Sequence, residues 1–378
     1  MATTGSVRRS VPLARPDIGP HELELVTQVL ASDVLAMGAF TARFEAGIAS
    51  LAGRAHGVAC SSGTAGLHLA VRALDIGEGD EVITTPFSFV ASANCLLYER
   101  AVPRFVDIEE DSLGMDPDLV EQATTGRIRA VLPVHVFGRP CRIEPMVAHA
   151  RRNGWAIIED SCEGLGSSVD GRPLGSFGDV SVFAFYPNKQ ITTGEGGVAV
   201  TDDPTIADVM RSLRNQGRDA SGTWLRHVRL GYNYRLDELS AAVGVAQLAR
   251  LSELRRGRAR VVRAYERALG DRDWVRLPRP GPGEDVDWFV YVVRLARDID
   301  RDQLIDRLAV LGVQSRPYFS PIHLQPFYRS TFGFKPGDFP VAERIAASTL
   351  ALPFSSRLTD QDVRYVADAL IETASATF

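Results

Sequence analysis

The chain has 378 residues, more than a single hydrophobic core usually serves, so two structural units are expected. Its 45% hydrophobic content suits a soluble globular protein, and a formal net charge of -5, with both signs mixed along the chain, excludes the basic footprint of a nucleic-acid binder. No stretch is long and apolar enough to span a membrane, and the polar start Met1 to Ser10 lacks a secretion-signal core, so a cytoplasmic protein without nucleic-acid or membrane partners is expected.

Taken in chain order, apolar Leu23, Val26 and Leu30 recur at helical spacing and predict a helix over 22–30. A Met37-Gly38 turn and a second helix over 40–52 follow. After the short apolar run 57–60, strands are predicted at 81–85, 102–106, 130–134, 155–159, 180–185 and 197–200, with helical connections such as 89–97 and 143–152. That alternation implies a mostly parallel sheet covered by helices. Two helices, 236–251 and 254–269, lead to the loop Pro278-Arg279-Pro280-Gly281-Pro282-Gly283. A strand at 288–293 and helices at 301–311 and 342–349 complete a mixed tail. The arginine run 255–260 reads as a solvated helix face or subunit rim. Cys60, Cys95, Cys141 and Cys162 lack metal-ligand spacing, and no metal site is expected.

Three features carry chemistry. Lys189 lies in the glycine-punctuated stretch Tyr186-Pro187-Asn188-Lys189-Gln190-Ile191-Thr192-Thr193-Gly194-Glu195-Gly196-Gly197, where an amine can attach a carbonyl compound. The strand over 155–159 delivers Glu159 and Asp160 to its carboxyl end, where ligands of open α/β sheets collect. Cys60-Ser61-Ser62-Gly63-Thr64 opens a helix, so Ser62 can cap it and Gly63 lets backbone N–H groups approach an anion. A phosphate cradle, an acid and an amine together match the parts of pyridoxal 5′-phosphate.

The chain resembles the DegT/DnrJ/EryC1/StrS family of sugar aminotransferases, fold-type I pyridoxal-phosphate enzymes. The resemblance runs from about Val11 to Leu352 and is most specific at Lys189 followed by Thr-Thr-Gly-Glu-Gly-Gly. It is also carried by Pro12-Leu13-Ala14-Arg15-Pro16, Ser62-Gly63-Thr64, Thr85-Pro86-Phe87-Ser88-Phe89, Val134-His135-Val136-Phe137-Gly138, Glu159-Asp160, Gly231-Tyr232-Asn233-Tyr234-Arg235 and Pro321-Ile322-His323. It implies an α/β fold with a mostly parallel seven-stranded sheet in a large coenzyme-binding domain, 36–252. A smaller α+β domain, 253–378, would follow, and the N-terminal segment 1–35 would pack with that smaller domain.

By this resemblance Lys189 holds the coenzyme aldehyde and relays the substrate proton, and Asp160 keeps the pyridine nitrogen protonated. Read locally, Asp160 can also cap the turn toward Cys162 and Gly164, and Glu159, its strand neighbour, faces the other way. Ser62, Gly63 and Thr64 would bind the phosphate, Phe89 would stack on the ring, and Glu163 would lie near the coenzyme hydroxyl as a protonated carboxyl or through a water. Asn233 would reach the phosphate of a partner subunit, which implies a homodimer with shared sites. The family usually has a serine five residues before the lysine; Ala184 stands there, with Ser181 or water as possible replacement. Met37, Gly38, Phe87, Tyr186, Arg235, Tyr318 and His323 are the substrate-binding candidates, and His135 is read as a packing residue. Some members with histidine in place of the lysine are dehydratases; Lys189 points to amino-group transfer. The expected reaction moves the amino group of L-glutamate to a nucleotide-linked keto sugar, at C4 of a 4-keto-6-deoxyhexose by the Thr-Thr-Gly-Glu-Gly-Gly pattern. A 3-keto sugar or keto-cyclitol is the alternative acceptor, and a noncatalytic coenzyme-binding regulator the alternative class.

Overall fold

The computed structural model describes residues 9–219, 225–270 and 272–375. Helices α1 (Pro20–Leu30) and α2 (Ala39–Leu51) lead into β1 (His56–Cys60), α3 (Gly63–Ala73), β2 (Glu81–Thr84), α4 (Ala91–Leu97) and β3 (Val102–Phe105). Then come α5 (Pro117–Gln122), β4 (Ile128–Leu132), α6 (Ile143–Asn153) and β5 (Ala156–Asp160). A hairpin of β6 (Ser168–Val169) and β7 (Arg172–Pro173) precedes β8 (Val180–Ala184), β9 (Gly197–Thr201) and α7 (Pro204–Arg214). The rest is α8 (Glu238–Ala249), α9 (Leu251–Leu269), β10 (Val275–Arg276), β11 (Glu284–Asp285), β12 (Tyr291–Leu295), α10 (Arg301–Val310), α11 (Pro326–Phe332), α12 (Pro340–Ser348), β13 (Thr349–Leu352) and α13 (Asp360–Ser375).

Seven strands form one sheet in the order β1-β9-β8-β5-β4-β2-β3. Only β9 runs against the others, antiparallel to both β1 and β8. Strands such as β8, Val-Ser-Val-Phe-Ala, are apolar on both faces because helices cover both faces of a parallel sheet. This is the fold-type I arrangement expected from the sequence, and it gathers the carboxyl ends of β1, β4, β5 and β8 along one edge. A second, antiparallel sheet, β10-β12-β13, lies in the C-terminal part of the chain. Its inner face meets α9, where the rings of Tyr265 and Tyr291 stack with centroids 4.7 Å apart and the Tyr265 hydroxyl donates to the Pro353 carbonyl at 2.8 Å. One apolar cluster joins Val58 and Val182 of the first sheet to Tyr291 and Leu350 of the second. Each such buried side chain contributes roughly 1.5–3 kcal/mol.

The N-terminal segment divides between two neighbours. Val11 bonds to Gly312 and Gln314, and Leu13 to Phe354, so this stretch lies along the C-terminal part. Helix α1 instead docks on α8, against the expectation that the whole segment packs with the smaller domain. The reason is its apolar stripe, since Leu25 and Val29 meet Ala242 and Ala246.

Several predicted elements shift by one or two residues, β4 from 130–134 to 128–132 among them, and two shifts show their cause. The strand expected at 288–293 begins pairing only at Tyr291, because the carbonyls of Trp288 and Phe289 accept hydrogen bonds from Arg258. The helix expected to reach residue 349 ends at Ser348, and Thr349 opens β13 opposite Arg294. Arg258 also corrects the reading of the arginine run as a solvated face. Arg256 and its neighbours follow that reading to differing degrees, but Arg258 is 6% exposed and lies inside the molecule.

At the end of β5 the two acids diverge, as alternation requires. Glu159 is fully buried and accepts from the backbone N–H groups of Gly175 (2.5 Å), Phe177 (3.0 Å) and Gly178 (3.0 Å) and from the Ser181 hydroxyl (2.8 Å). His135 accepts from the Cys141 N–H at Nδ1, which leaves Nε2–H to donate to Glu159 at 3.0 Å. Burial by itself would raise the Glu159 pKa, but His135 and these donors outweigh it and hold the carboxyl well below the usual carboxylate range. With the folded-state pKa depressed, the unfolded chain binds more protons in acid, so this stabilisation is complete above the ordinary carboxylate range and is lost as pH falls below it. Glu159→Gln should therefore cost about 3–5 kcal/mol in urea unfolding at neutral pH. The gap between variant and parent should narrow on acidification.

Candidate active site

Beyond β8 the chain folds into a loop held by its own threonines. The Thr192 hydroxyl donates to the Phe185 carbonyl at 3.0 Å and accepts from Gly194 N–H at 2.9 Å, while Thr193 N–H bonds to Phe185 at 3.0 Å. Gly194 has φ +82°, a left-handed conformation that favours glycine. This loop carries Lys189, whose side chain is 13% exposed. Its Nζ stands 3.4 Å from Glu163 Oε1 and 4.1 Å from the centre of the Phe289 ring. The Gln190 amide, next in sequence, donates to the carbonyls of Glu163 (2.6 Å) and Asp287 (2.8 Å), fixing the loop from below.

Asp160 lies at the end of β5, buried. Its Oδ2 accepts from the Ser92 hydroxyl at 2.7 Å, and Ser92 in turn meets Ser88 at 2.8 Å. Its Oδ1 accepts from Cys162 N–H at 3.1 Å, so the turn-capping bond is present as well. Glu163 accepts from Phe137 N–H at 2.7 Å. Burial pushes its carboxyl above the ordinary carboxylate range, with Asp160 adding to the shift and Lys189 opposing it.

Across the cavity, α3 starts at Gly63 with Ser62 in extended backbone as its cap, the hydroxyl accepting from Ala65 N–H at 3.1 Å. First-turn N–H groups have no intrahelical partner and face outward with the positive end of the helix dipole. A Cβ on Gly63 would stand 2.6 Å from Ala184 Cβ and 3.0 Å from Cys162 Sγ, so only glycine fits between α3 and β8. Ser181 does not replace the missing serine at 184. Its hydroxyl is buried and committed to Glu159.

Ser62, Gly63, Thr64, Phe89, Asp160, Glu163, Tyr186, Lys189 and Tyr318 line one cavity of about 610 Å³. Phe89 (60% exposed) and Tyr186 (53% exposed) stand in the open. Beside it runs an aromatic groove of about 890 Å³ that shares Ser88, Phe89 and Phe319 with the cavity.

The remaining candidates lie elsewhere. Phe87 is fully buried and packs edge-on against Phe137 and Phe319, so it is a core residue rather than a wall of the cavity. His323 is also fully buried, paired with Glu343 at 3.0 Å and packed on Phe339, which removes it from substrate contact. Gly38 starts α2, where its N–H donates to Glu238 at 2.9 Å; a Cβ there would come within 2.7 Å of the same carboxylate. Met37 beside it is 41% exposed, and neither residue lines the cavity. Arg235 bonds to Asn215 at 3.1 Å, and Asn233 is exposed and does not line the cavity of its own chain.

Sequence reasoning missed Ser92, Phe289 and Arg258. The serine lies three residues after Phe89, at the start of α4, where its spacing carried a weak signal, while the other two come from distant parts of the chain with none. Among the described residues no helix is long and apolar enough to cross a membrane, and no cluster of three or more His, Cys, Asp or Glu could hold a metal.

The geometry has close counterparts among known proteins. GDP-perosamine synthase of Caulobacter vibrioides is 37% identical over 366 residues, covering 95% of this chain and 97% of its own. The crystal structure of DesV from S. venezuelae superposes with a TM-score of 0.88 at 35% identity, covering 93% of this chain and 94% of that one. DesI, solved in the presence of its TDP-sugar product, superposes at 0.90 with 33% identity, covering 97% and 94%. The sequence profile of the DegT/DnrJ/EryC1/StrS aminotransferase family matches residues 16–371. With its lysine loop, strand-end aspartate and glycine cradle in the places described, the chain belongs to that family.

Proposed function

We propose that the protein is a pyridoxal-phosphate-dependent aminotransferase that takes the amino group of L-glutamate and gives it to a ketone on a nucleotide-linked sugar. The observation that carries this reading is the placement of Lys189 and Asp160, delivered by different strands, opposite the first turn of α3 in one cavity. The residues present fit the coenzyme: a close-packed glycine at the start of α3, a buried carboxylate at Asp160 and an amine at Lys189 line the same cavity. When bound, pyridoxal phosphate supplies an electron sink for the pair released as a Cα–H bond breaks.

The chain's own groups do the rest. Lys189 would hold the coenzyme's aldehyde carbon through its amine and, as general base and acid, would carry the proton between the donor's Cα and that carbon. Asp160, kept in place by Ser92 and the Cys162 N–H, would hold a proton on the ring nitrogen. Ser62, Gly63 and Thr64 would bind the phosphate, and Phe89 would cover the ring and exclude water. Glu163, whose carboxyl burial shifts upward, would meet the coenzyme hydroxyl as a protonated carboxyl or through a water, since two anionic oxygens repel.

An acceptor much larger than glutamate is supported by the aromatic groove that continues the cavity past Phe89 and Phe319. Tyr186 and Tyr318 flank the route by which a sugar would enter. The Thr-Thr-Gly-Glu-Gly-Gly stretch favours C4 of a 4-keto-6-deoxyhexose, with a 3-keto sugar or keto-cyclitol as second reading. The relatives named for GDP-perosamine and for a TDP-sugar product support a nucleotide-linked substrate. Asn233, exposed and away from its own cavity, is assigned to the phosphate of a second copy, so the working unit is a homodimer with 36–252 as coenzyme domain and 253–378 as smaller domain.

Lys189→Ala should abolish the shifted visible absorbance of the chain mixed with pyridoxal phosphate, and slow glutamate-dependent formation of pyridoxamine phosphate by 10²-fold or more, on the order of a lost general acid–base group. A band that persists in the variant overturns the assignment. Gly63→Ala should lower stability by about 1–3 kcal/mol through overpacking against β8. Urea unfolding of the apo protein measures it. Release of 2-oxoglutarate with 4-keto, 3-keto and cyclitol acceptors offered separately decides the acceptor class.

A further inference from the structure

Arg258 is the one member of the arginine run whose guanidinium is turned into the protein among the described contacts of α9. It is 6% exposed, and its Nη2 donates to the Lys189 carbonyl at 2.6 Å. Its Nη1 donates to the Phe289 carbonyl at 3.1 Å and the Trp288 carbonyl at 3.4 Å. No carboxylate lies within ion-pair distance of it among the described residues, and its Nε has no partner there. Asp287 and Asp17 act on it only at longer range. A buried guanidinium that spends its donors on carbonyls is costly to keep. What it secures is a fixed relation between two distant stretches of chain.

Those two stretches meet again through their side chains. The Lys189 amine stands over the Phe289 ring at 4.1 Å, so Arg258 holds the backbones of both partners in that contact. Gln190 ties the same stretches a second time through the Asp287 carbonyl at 2.8 Å. The helix is seated deeply enough for this because Gly257 lies against Ser356, where an added Cβ would come within 2.9 Å of the serine Cβ. We infer that Arg258 is a positioning residue that sets where the reactive amine of Lys189 stands relative to Phe289, and through it to the coenzyme carbon. The inference rests on the proposed role of Lys189. Misplacing a reacting group by about 1 Å can cost about 10²-fold in rate.

The test compares Arg258→Met and Arg258→Lys with Arg260→Met in the pyridoxal-phosphate-loaded chain. Arg260 fastens the same helix to the Ser356 and Leu358 carbonyls away from the cavity, and so reports the cost of loosening α9 alone. Arg258→Met should lower kcat for the glutamate half-reaction about 10- to 100-fold with KM changed less than about threefold, and alter the visible circular dichroism of the bound coenzyme. Arg258→Lys, which keeps a charged donor, should recover part of both. Arg260→Met should lower the melting temperature without moving either. If Arg258→Met changes only the melting temperature, as Arg260→Met does, the positioning role is overturned. Should Arg258→Met not fold, Arg258→Lys and Phe289→Leu decide: lowered kcat and altered dichroism in both support the role, and parent-like values in both overturn it. Failure of the parent reading is distinct, because then the unsubstituted chain itself shows no coenzyme band. Crystal structures of apo parent and Arg258→Lys still decide in that case: an unchanged separation of Lys189 Nζ and Phe289 sinks the inference, and a displaced amine upholds it.

Discussion

The carboxylate of Glu159 is the fixed point on which the site is built. It is fully buried at the end of β5 and gathers the N–H groups of the 175–178 turn, the Ser181 hydroxyl and the Nε2–H of His135. A charge so placed is tolerable only because its lone pairs are all engaged, and each donor is thereby held to one position. The turn leads into β8, and β8 leads into the lysine loop. His135 belongs to the stretch after β4 that presents the Phe137 N–H to Glu163. Asp160, on the opposite side of the same strand end, inherits this rigidity and presents its carboxylate to the cavity. One acid organises the edge so that its neighbour can serve as a chemical group.

The lysine loop is fixed from two sides that differ in kind. Within the large sheet its threonines bond to the Phe185 carbonyl and Gly194 N–H, which is local and readable from the run of residues. From the C-terminal part it is reached by Gln190 bonding to the Asp287 carbonyl and by Arg258 bonding to Lys189 itself. Asp287 shows the electrostatic consequence of that convergence. Burial raises its pKa to about 6 despite the opposing fields of Arg258 and Arg255. The meeting of the two parts thus concentrates polar groups around the Lys189 loop, away from water.

The large sheet was legible because its strands are continuous apolar runs separated by helix-spaced residues, and the lysine, aspartate and glycine cradle because each sits at the end of such a run. Helix α7 carried the usual starting signals, Asp203 as cap and Pro204 in the first turn, yet lay beyond the stretch read as alternating elements. The shift of the strand at 288–293 was illegible for a different reason: what stops its first residues from pairing is a guanidinium from α9, and no local pattern encodes a distant donor. The same holds for Phe87 and His323, whose neighbours along the chain suggested a pocket wall while their neighbours in space made them core. Composition gave Arg258 a surface place because arginine is rarely buried, and the carbonyls that receive it come from both sides of the molecule.

The segment bearing Asn233 joins these themes. Tyr232 and Tyr234, on either side, turn inward and stack with centroids 4.9 Å apart, which leaves Asn233 pointing out. Their hydroxyls reach Glu99 at 2.6 Å and the His68 ring at 3.1 Å, and His68 lies on α3, the helix whose first turn is the proposed phosphate cradle. The Tyr234 carbonyl also accepts from Ser61 N–H at 2.8 Å, immediately before the cradle. The residue assigned to a second copy's phosphate is therefore fastened to the cradle of its own chain by two separate bonds. In the proposed dimer the asparagine assigned to one site would thus be tied, through Tyr234, to the start of α3 in the other.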